Sequence, residues 1–444
     1  MTPAIAFQKQ IFDFLSESQF WPEEEMVEYQ NSQLSQLVKF AFEKSPFYKD
    51  RLAGLVEPSG EINLQKWHEV PILTRDDLLN NREKMLVAEL PPGHGPTAEH
   101  LGTGTTGKPV TTTHNLLTGL ASQAALYRAL NWHGVDFSGS MLRYSGEKPL
   151  GQADPKGDVD GLWGPRWFAD QDRGFMIEAS VAFGPEIVCQ MILERNVKVI
   201  SGRPLAMQSF ALTAEREKLK IDLSAVIGFG ANVNEEIRED CRRVFGAEVI
   251  SLYQSKEVYD IAHQCPQSEK FHVSSELVLL EVLDDEGNPT PIGQTGRCVV
   301  TSFYNTAQPI IRYDLGDRIR MGSRCSCGRL LPVIDKIVGR SSHLFRFPNG
   351  RKISPVLGPN SRASVRALAG ASAYQIAQTQ PNVLELRYIP DGSRELPDAD
   401  GLQNIFREFF DNSVNFTWKK IDKLPLTAGG KFLEYACELP PSSK

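Results

Sequence analysis

The sequence predicts a large α/β protein: an N-terminal domain of several subdomains with layered sheets, followed by a small α+β domain. Three observations support this prediction. The chain has 444 residues, more than one compact core normally holds. Between about residues 110 and 300, helical segments alternate with short β-branched runs such as residues 197–200 and 225–227, a pattern typical of an α/β sheet. A polar stretch with Gly and Pro, residues 339–355, indicates a boundary, and the roughly 90 residues after it suit a small domain.

The N-terminal domain is predicted to cover residues 1–339 and to begin with a mainly helical part, residues 1–100. Within that part, Thr74 precedes a run with acidic residues in its first turn, which predicts a helix start. Residues 270–335 are predicted to be rich in β-structure, with strands at 276–282 and 296–302 around a turn at 284–288. The small domain covers residues 340–444.

Composition narrows the class of function. The formal net charge of −7 and a pI near 5.7 argue against a broad nucleic-acid or anionic-membrane surface and favour small-molecule ligands. No apolar run reaches membrane-spanning length, and the start lacks the layout of a signal peptide. Seven cysteines spread through a long chain do not suggest a disulfide framework. We therefore expect a soluble cytoplasmic protein with no nucleic-acid or membrane partner.

A loop rich in glycine and threonine has the residue types that bind phosphates. Glycines let backbone N–H groups curl around a phosphate, hydroxyls donate to its oxygens, and lysine adds a positive charge. Pro109 stands where a P-loop would have Ser or Thr, so a P-loop NTPase is excluded. Taken alone, the loop could equally be a flexible surface turn. Its residues are Thr103, Gly104, Thr105, Thr106, Gly107 and Lys108.

Together with four later blocks, this loop resembles the adenylate-forming superfamily of acyl-CoA ligases. The family's phosphate loop reads Ser/Thr-Gly-Thr-Thr-Gly-x-Pro, which residues 103–109 fit throughout. Residues 253–257 resemble its Tyr-Gly-x-Thr-Glu block, although Gln254 and Lys256 stand where the family favours Gly and Thr. Residues 312–317 resemble the Arg-Tyr-x-x-Gly-Asp block, residues 339–340 the Gly-Arg hinge block, and residues 424–431 the Leu-Pro-x-Thr-x-x-Gly-Lys block.

The resemblance implies roles for residues of the four later blocks. The ring of Tyr253 would lie by the adenine, and Glu257 would hold Mg²⁺ on the phosphates. Asp317 would accept hydrogen bonds from the ribose hydroxyls, and Arg340 would contact nucleotide hydroxyls or phosphate. Lys431 would bridge the acid's oxygen and the α-phosphate as negative charge builds up.

The same resemblance implies a mobile small domain. In the family, this domain rotates about a hinge, placed here at residues 340–343, between adenylation and thioester formation. The family usually has an acidic pair where this chain has Ser342 and His343, so the chain departs from the family pattern at the hinge.

Within the superfamily, the chain most resembles phenylacetate-CoA ligases, capsule-biosynthesis proteins and related coenzyme synthetases. Residues 271–276, 309–317 and 325–329 carry this resemblance. Cys325 and Cys327, with Cys265 and either His263 or His272 upstream, offer a four-ligand set suited to structural zinc. A reduced, metal-free loop is the alternative.

The acid pocket is expected at the sheet edges, with Gly228, Phe229, Gly230 and Ala231 as its floor by position in the family pattern. Phe229 could equally pack in the core. Farther upstream, an aromatic region either covers the substrate or simply packs; it contains Arg143, Tyr144, Trp163 and Trp167.

These residues lead to a functional hypothesis: an AMP-forming acid–thiol ligase that uses ATP and Mg²⁺ to adenylate a carboxylic acid, expected to be an aryl or related acid, and then forms a CoA thioester. Transfer of the acyl group to an amine, a hydroxyl or a carrier protein is an alternative, and so is a non-catalytic nucleotide-binding relative. A homodimer is expected from the resemblance alone.

Overall fold

The computed structural model describes residues 2–102, 110–146, 154–340, 345–349, 352–353, 357, 359–425 and 433–439. Its α-helices are α1 (Pro3–Ser18), α2 (Glu23–Lys44), α3 (Pro46–Arg51), α4 (Arg75–Met85), α5 (Leu116–Trp132), α6 (Pro185–Glu194), α7 (Pro204–Arg216), α8 (Glu235–Phe245), α9 (Pro359–Ala369) and α10 (Ala399–Phe409). Short 3-10 helices cover Ala53–Leu55, Leu64–Glu69 and Asp170–Asp172.

The first strands along the chain are β1 (Thr97–Gly102), β2 (Val110–Asn115), β3 (Ser140–Gly146), β4 (Asp158–Leu162), β5 (Phe175–Ser180), β6 (Val197–Gly202), β7 (Ala225–Phe229), β8 (Val249–Ser255), β9 (Tyr259–Gln264) and β10 (Phe271–Val273). The later strands are β11 (Val278–Leu283), β12 (Thr295–Ser302), β13 (Tyr313–Gly322), β14 (Val333–Arg340), β15 (Phe345–Arg346), β16 (Lys352–Ile353), β17 (Ala371–Gln380), β18 (Val383–Pro390), β19 (Asn415–Lys420) and β20 (Tyr435–Cys437).

The α/β prediction is confirmed by a twelve-stranded sheet in the order β11-β12-β13-β14-β10-β9-β8-β7-β6-β3-β5-β4. Five neighbours, β5-β3-β6-β7-β8, pair in parallel. Helices α6, α7 and α8 connect β5 to β6, β6 to β7 and β7 to β8. The β-branched runs of the sequence lie here because a parallel strand covered by helices must be apolar on both faces. Val226 and Ile200 are accordingly fully buried.

The rest of the sheet is joined to this block by antiparallel pairs. Strand β8 pairs with β9, β9 with β10, and β10 with β14. The predicted hairpin is β11 and β12, with the turn between them closed by hydrogen bonds from Asn288 to Asp284. Helix α4 begins at the predicted cap, where Thr74 and Asp77 form a capping box.

The chain divides into two compact units. The first contains residues 1–100, 112–315 and 319–337, and the second contains residues 101–111, 316–318 and 338–444. In the second unit, α9 and α10 accompany the four-stranded sheet β19-β18-β17-β20 around a core that includes Phe345, Leu386 and Phe406. The predicted boundary at residues 339/340 and the hinge at 340–343 stay predictions, and residues 341–343 lie outside the described part. No helix among the described residues is long and apolar enough to cross a membrane.

Candidate active site

The topology of the parallel block marks one edge of the sheet as the place for a ligand. Strands β3 and β6 are neighbours in the middle of this block. Strand β5, which follows β3 and β4 in the chain, lies beyond β3, whereas β7, which follows β6, lies beyond β6 on the opposite side. Ligands of open α/β sheets bind beyond the carboxyl ends of the strands at such a switch point. The ends of β3, β6, β7 and β8 therefore form the candidate edge. Tyr253 is on β8, and Glu257 lies in the turn that follows this strand.

The predicted phosphate loop, residues 103–108, lies outside the described residues, but the strands that flank it are described. Strands β1 and β2 form a two-stranded sheet. Near the start of the loop is His100, and after the loop come Thr112 and His114. The hydroxyl of Thr112 and Nε2 of His114 lie 3.3 and 3.0 Å from the backbone carbonyl of Lys256. The block around Glu257 is thus attached to the strand that leaves the loop.

Tyr253 and Glu257 have different surroundings. Tyr253 is buried, at 8% exposure, and its hydroxyl donates to the thiol of Cys298 over 3.5 Å. Glu257 lies half-exposed in the turn between β8 and β9, where a carboxylate can reach a cation. The buried ring and the accessible carboxylate are compatible with the roles implied by the resemblance, which stay predictions.

An aromatic cluster that the sequence analysis did not single out supports this turn. The ring of Tyr259 stacks on His114 with 4.2 Å between the ring centroids, and its hydroxyl lies 2.8 Å from Nε2 of His100. Burial lowers the pKa of His114 to about 4, with a smaller effect of His100 in the same direction. It also raises the pKa of Tyr259 to about 12. Both rings are therefore neutral at pH 7, and a neutral His114 that donates from Nε2 suits the carbonyl of Lys256.

Asp317 lies half-exposed on β13, and the arginine that opens its block is a structural residue. Arg312 is 2% exposed and has a positive φ of 52°. Its guanidinium pairs with Glu281 at 3.0 Å and donates to the carbonyls of His68 and Val70 at 3.0 and 2.6 Å. These bonds fix the start of β13 against the segment that precedes α4.

Of the two cationic residues predicted in the later blocks, only the backbone of one is among the described residues. Arg340 ends β14, but its side chain lies outside the described residues. Lys431 lies outside them entirely, as do Ser342 and His343. Their roles stay predictions.

The predicted floor of the acid pocket lies at the carboxyl end of β7. Gly228 is buried, and a Cβ there would approach Val233 to 3.1 Å, so the position favours glycine. Phe229 is partly buried against the apolar cluster that contains Ile227 and Trp163. Gly230 has a positive φ of 75°, and Ala231 is exposed. Phe229 therefore packs on the core directly at the candidate edge.

The upstream aromatic region makes packing contacts among the described residues. Trp163 is buried and donates to the carbonyl of Gly139 over 2.6 Å, and Trp167 packs on Phe12 at 5.2 Å. At the end of β3, the hydroxyl of Tyr144 donates to two backbone carbonyls, and Arg143 pairs with Glu178.

Four side chains predicted as metal ligands meet at one point. The ligand atoms of Cys265, His272, Cys325 and Cys327 all lie within 4.8 Å of one another. The sulfur of Cys265 is 3.6 Å from that of Cys325, and the sulfur of Cys327 is 3.2 Å from Nε2 of His272. A tetrahedron with Zn–S bonds of about 2.3 Å has edges of about 3.8 Å, close to these distances. A disulfide would need sulfurs about 2 Å apart, so the cysteines are free.

The sequence left open which of two histidines is the fourth ligand, and the structure distinguishes them. His263 and His272 face each other across β9 and β10. Nε2 of His263 lies 3.3 Å from a carboxylate oxygen of Asp260, and its other ring nitrogen lies 3.4 Å from the hydroxyl of Ser274. Only His272 of the two belongs to the cysteine cluster. Burial lowers the pKa of His272 to about 4, so its imidazole is neutral at pH 7.

A buried ion pair near this cluster was not predicted. Arg128 of α5 and Glu276 are 1% and 0% exposed, and Nη1 of Arg128 lies 2.6 Å from Oε1 of Glu276. The same oxygen accepts from Ser18 at 2.8 Å, and Nη1 also donates to the carbonyl of Leu15 at 2.9 Å. The pair therefore joins α1, α5 and the segment that leads to β11. The only sign of this ion pair in the sequence is the glutamate that ends the block of residues 271–276.

Comparisons with known proteins agree with this fold. No protein-family model matches the chain. A phenylacetate-coenzyme A ligase of Thermus thermophilus is 26% identical over 348 residues, which cover 73% of this chain and 72% of that protein. Protein CapK of Staphylococcus aureus is 21% identical over 436 residues, covering 92% of this chain and 88% of CapK.

Solved structures share the fold. A 2-hydroxyisobutyryl-CoA ligase in the postadenylation state, in complex with 2-HIB-AMP, superposes with a TM-score of 0.70 at 19% identity, covering 95% of this chain and 92% of that one. The same ligase with 2-HIB-AMP and CoA in the thioesterification state gives a TM-score of 0.60 at 20% identity, with 91% and 88% covered. In sequence the chain is thus similar to a phenylacetate-coenzyme A ligase and to CapK, and its fold is that of the adenylate-forming CoA ligases.

Proposed function

We propose that this protein uses MgATP to convert a carboxylic acid into an acyl adenylate, releases pyrophosphate, and then forms a thioester with CoA. The observation that carries the proposal is the presence of all five nucleotide-binding blocks, in order, in a chain similar to a CoA ligase over 73% of its length. The Tyr253–Glu257 block also lies at the sheet edge where ligands of such folds bind.

In the first step, a carboxylate oxygen attacks the α-phosphorus of ATP. The bond to the bridging oxygen breaks, and its electrons leave with pyrophosphate. Such a displacement depends mainly on in-line orientation and on stabilisation of the developing charge. The loop at residues 103–108 binds the phosphates, Glu257 holds Mg²⁺, and Asp317 binds the ribose hydroxyls. Lys431 stabilises the negative charge between the acid and the α-phosphate.

In the second step, the sulfur of CoA attacks the acyl carbon, the thiol proton is lost to solvent or a base, and AMP leaves. The small domain rotates about residues 340–343 between the two steps, which removes Lys431 and admits the thiol. Gly228, Phe229, Gly230 and Ala231 form the floor of the acid pocket. The packing of Phe229 at the mouth of β7 fits an aryl or related acid, whose flat face an aromatic ring can contact.

The experiment that tests this function is acid-dependent exchange of labelled pyrophosphate into ATP, with Mg²⁺ and without CoA. A panel of aryl, aliphatic and amino acids should contain at least one that supports exchange. Adding CoA to that acid should then yield AMP and a thioester in equal amounts. Exchange without thioester would assign the acyl group to an amine, a hydroxyl or a carrier protein. ATP binding without exchange for any acid would favour a non-catalytic nucleotide-binding protein.

We further propose that Cys265, His272, Cys325 and Cys327 bind one structural Zn²⁺. Three thiolates and one imidazole fill a tetrahedral site and leave no position for a substrate. The S···S distance of 3.6 Å and the S···N distance of 3.2 Å are close to the edges of such a tetrahedron. Metal analysis of the purified protein should find about one zinc per chain, as one closed site requires. The homodimer and the cytoplasmic location stay predictions.

A further inference from the structure

Gln254 places a polar side chain at a point of the Tyr253–Glu257 block where the family has glycine. It lies near the carboxyl end of β8, at the candidate edge of the sheet. Phe229 on β7 pairs with Leu252 on β8, and Gln254 lies two residues beyond Leu252 on the same face of the sheet. Because a strand rises about 3.3 Å per residue, Gln254 continues the face of Phe229 about 7 Å farther toward the edge.

Asp260 of β9 fixes the side chain of Gln254 on this face. The two residues pair across β8 and β9, and Nε2 of Gln254 donates to a carboxylate oxygen of Asp260. The same carboxylate accepts from the hydroxyl of Ser122 on α5 and lies 3.3 Å from Nε2 of His263. Asp260 is 1% exposed, so bulk water does not compete for these bonds. The amide of Gln254 is therefore anchored to a buried group.

The carboxylate of Asp260 also determines which way the amide of Gln254 faces. An ionised carboxylate accepts hydrogen bonds and donates none, so the amide turns its NH₂ group toward Asp260. The carbonyl oxygen Oε1 then points away from Asp260. Within the described part of the chain, Oε1 receives no hydrogen bond, and the side chain is partly exposed. The protein thus presents a fixed hydrogen-bond acceptor at the candidate edge, on the face that Phe229 occupies.

We propose that Gln254 selects the acid, and that the substrate is an aryl acid whose ring carries a hydrogen-bond donor, a hydroxyl or an amino group. The inference rests on the proposed function, because it names the substrate class of the same acid pocket. The ring of the acid lies against Phe229, and its donor group meets Oε1 of Gln254. An acid without the donor leaves this oxygen unpaired, so the site discriminates against it. Asp260 is a positioning residue that holds the amide in this orientation.

The test compares matched acids in pyrophosphate exchange: benzoate and phenylacetate, each with its hydroxy and amino derivatives at every ring position. In the wild type, at least one derivative should have a kcat/KM about tenfold above that of its parent acid, as one hydrogen bond provides. Gln254→Met keeps the length of the side chain without its amide, so this ratio should fall below about threefold while kcat/KM of the parent acid stays unchanged.

Two further variants complete the comparison. In Asp260→Asn the neighbouring group can donate as well as accept, so the amide of Gln254 is free to turn round, and the ratio should fall as in Gln254→Met. An unchanged ratio in this variant would contradict the positioning role of Asp260. Gln190 is an exposed glutamine of α6, and Gln190→Met is the matched control, which should keep the wild-type ratio.

An unchanged ratio in Gln254→Met, or a wild type that prefers no derivative over its parent, would overturn the inference. An equal fall in kcat/KM for derivative and parent would indicate a structural role for Gln254 and overturn it as well. Calorimetric titration with the same acids repeats the comparison without catalysis. Donor-dependent affinity without any exchange would contradict the proposed function alone, whereas exchange without a preference for donors would contradict this inference alone.

Discussion

Replacing Glu276 with Gln should strongly destabilise the first compact unit. The substitution keeps the size of the side chain but removes its charge, and it leaves the guanidinium of Arg128 buried at 1% exposure. Breaking a buried ion pair by removing one partner typically costs about 3–5 kcal/mol. Arg128 keeps its bond to the carbonyl of Leu15 and its position 5.2 Å from the ring centroid of Trp132. We therefore expect the free energy of unfolding to fall by about 3 kcal/mol, near the lower end of this range.

The matched control is the double variant Arg128→Met, Glu276→Gln. It removes both charges, so no ion is left buried without its partner. Within the described part of the chain, Nε and Nη2 of Arg128 and Oε2 of Glu276 have no hydrogen-bond partner, so the native pair is itself imperfectly satisfied. Replacing such a pair with uncharged residues is often nearly neutral. The double variant also loses the hydrogen bond that Arg128 donates to the carbonyl of Leu15, and a hydrogen bond from a charged donor contributes about 1.5–3 kcal/mol.

Urea unfolding followed by tryptophan fluorescence measures these differences. Trp418 is the one tryptophan of the second unit, so the other five report on the first. The order of stability should be wild type, then the double variant, then Glu276→Gln. If Glu276→Gln lowered the free energy of unfolding by less than about 1 kcal/mol, the argument that Arg128 is left as a buried, unpaired charge would be refuted. A double variant less stable than Glu276→Gln would show that Arg128 stabilises the fold mainly through its other contacts.

Three further predictions concern the active site and the metal. Lys431→Ala should slow pyrophosphate exchange by about 10²–10³-fold, as loss of a charge-stabilising donor does, while MgATP still binds; full exchange activity would disprove its role. Removal of zinc with a chelator, or Cys327→Ser, should change the fluorescence of Trp132, whose ring lies 5.7 Å from that of His272, whereas Cys437→Ser should not. His114, with its pKa lowered from 6.5 to about 4, stabilises the fold fully above pH 6.5; this contribution, at most about 3 kcal/mol, is lost as the pH falls toward 4. In His114→Gln, the urea midpoint of unfolding should therefore decrease less over this pH range than in the wild type. An unchanged dependence of the midpoint on pH would exclude His114 as the source of the decrease.

The sequence was most informative where a local pattern determines a local structure. Thr74 and Asp77 predict the start of α4 because a capping box involves only neighbouring residues. The turn at residues 284–288 predicts the β11–β12 hairpin for the same reason. The α/β class followed from the β-branched runs, since strands buried on both faces need them.

The candidate site was less predictable because it depends on pairs that are distant in sequence. His263 and His272 flank Cys265 in the sequence, and only the pairing of β9 with β10 and the contact with Asp260 separate them. Arg128 and Glu276 are 148 residues apart, so neither signals the other. The hydrogen bond from His114 to Lys256 likewise joins two segments that no local pattern connects.

The position of β14 has a mechanical consequence. This strand leads out of the first unit, and it has a neighbour on each side, β13 and β10. A force applied through the following chain would load two rows of hydrogen bonds in shear, whereas a strand at the edge of the sheet would be held by one row. The connection to the second unit is thus anchored in the interior of the sheet. If the small domain rotates as proposed, the motion would pull on this interior strand and not on a strand at the edge of the sheet.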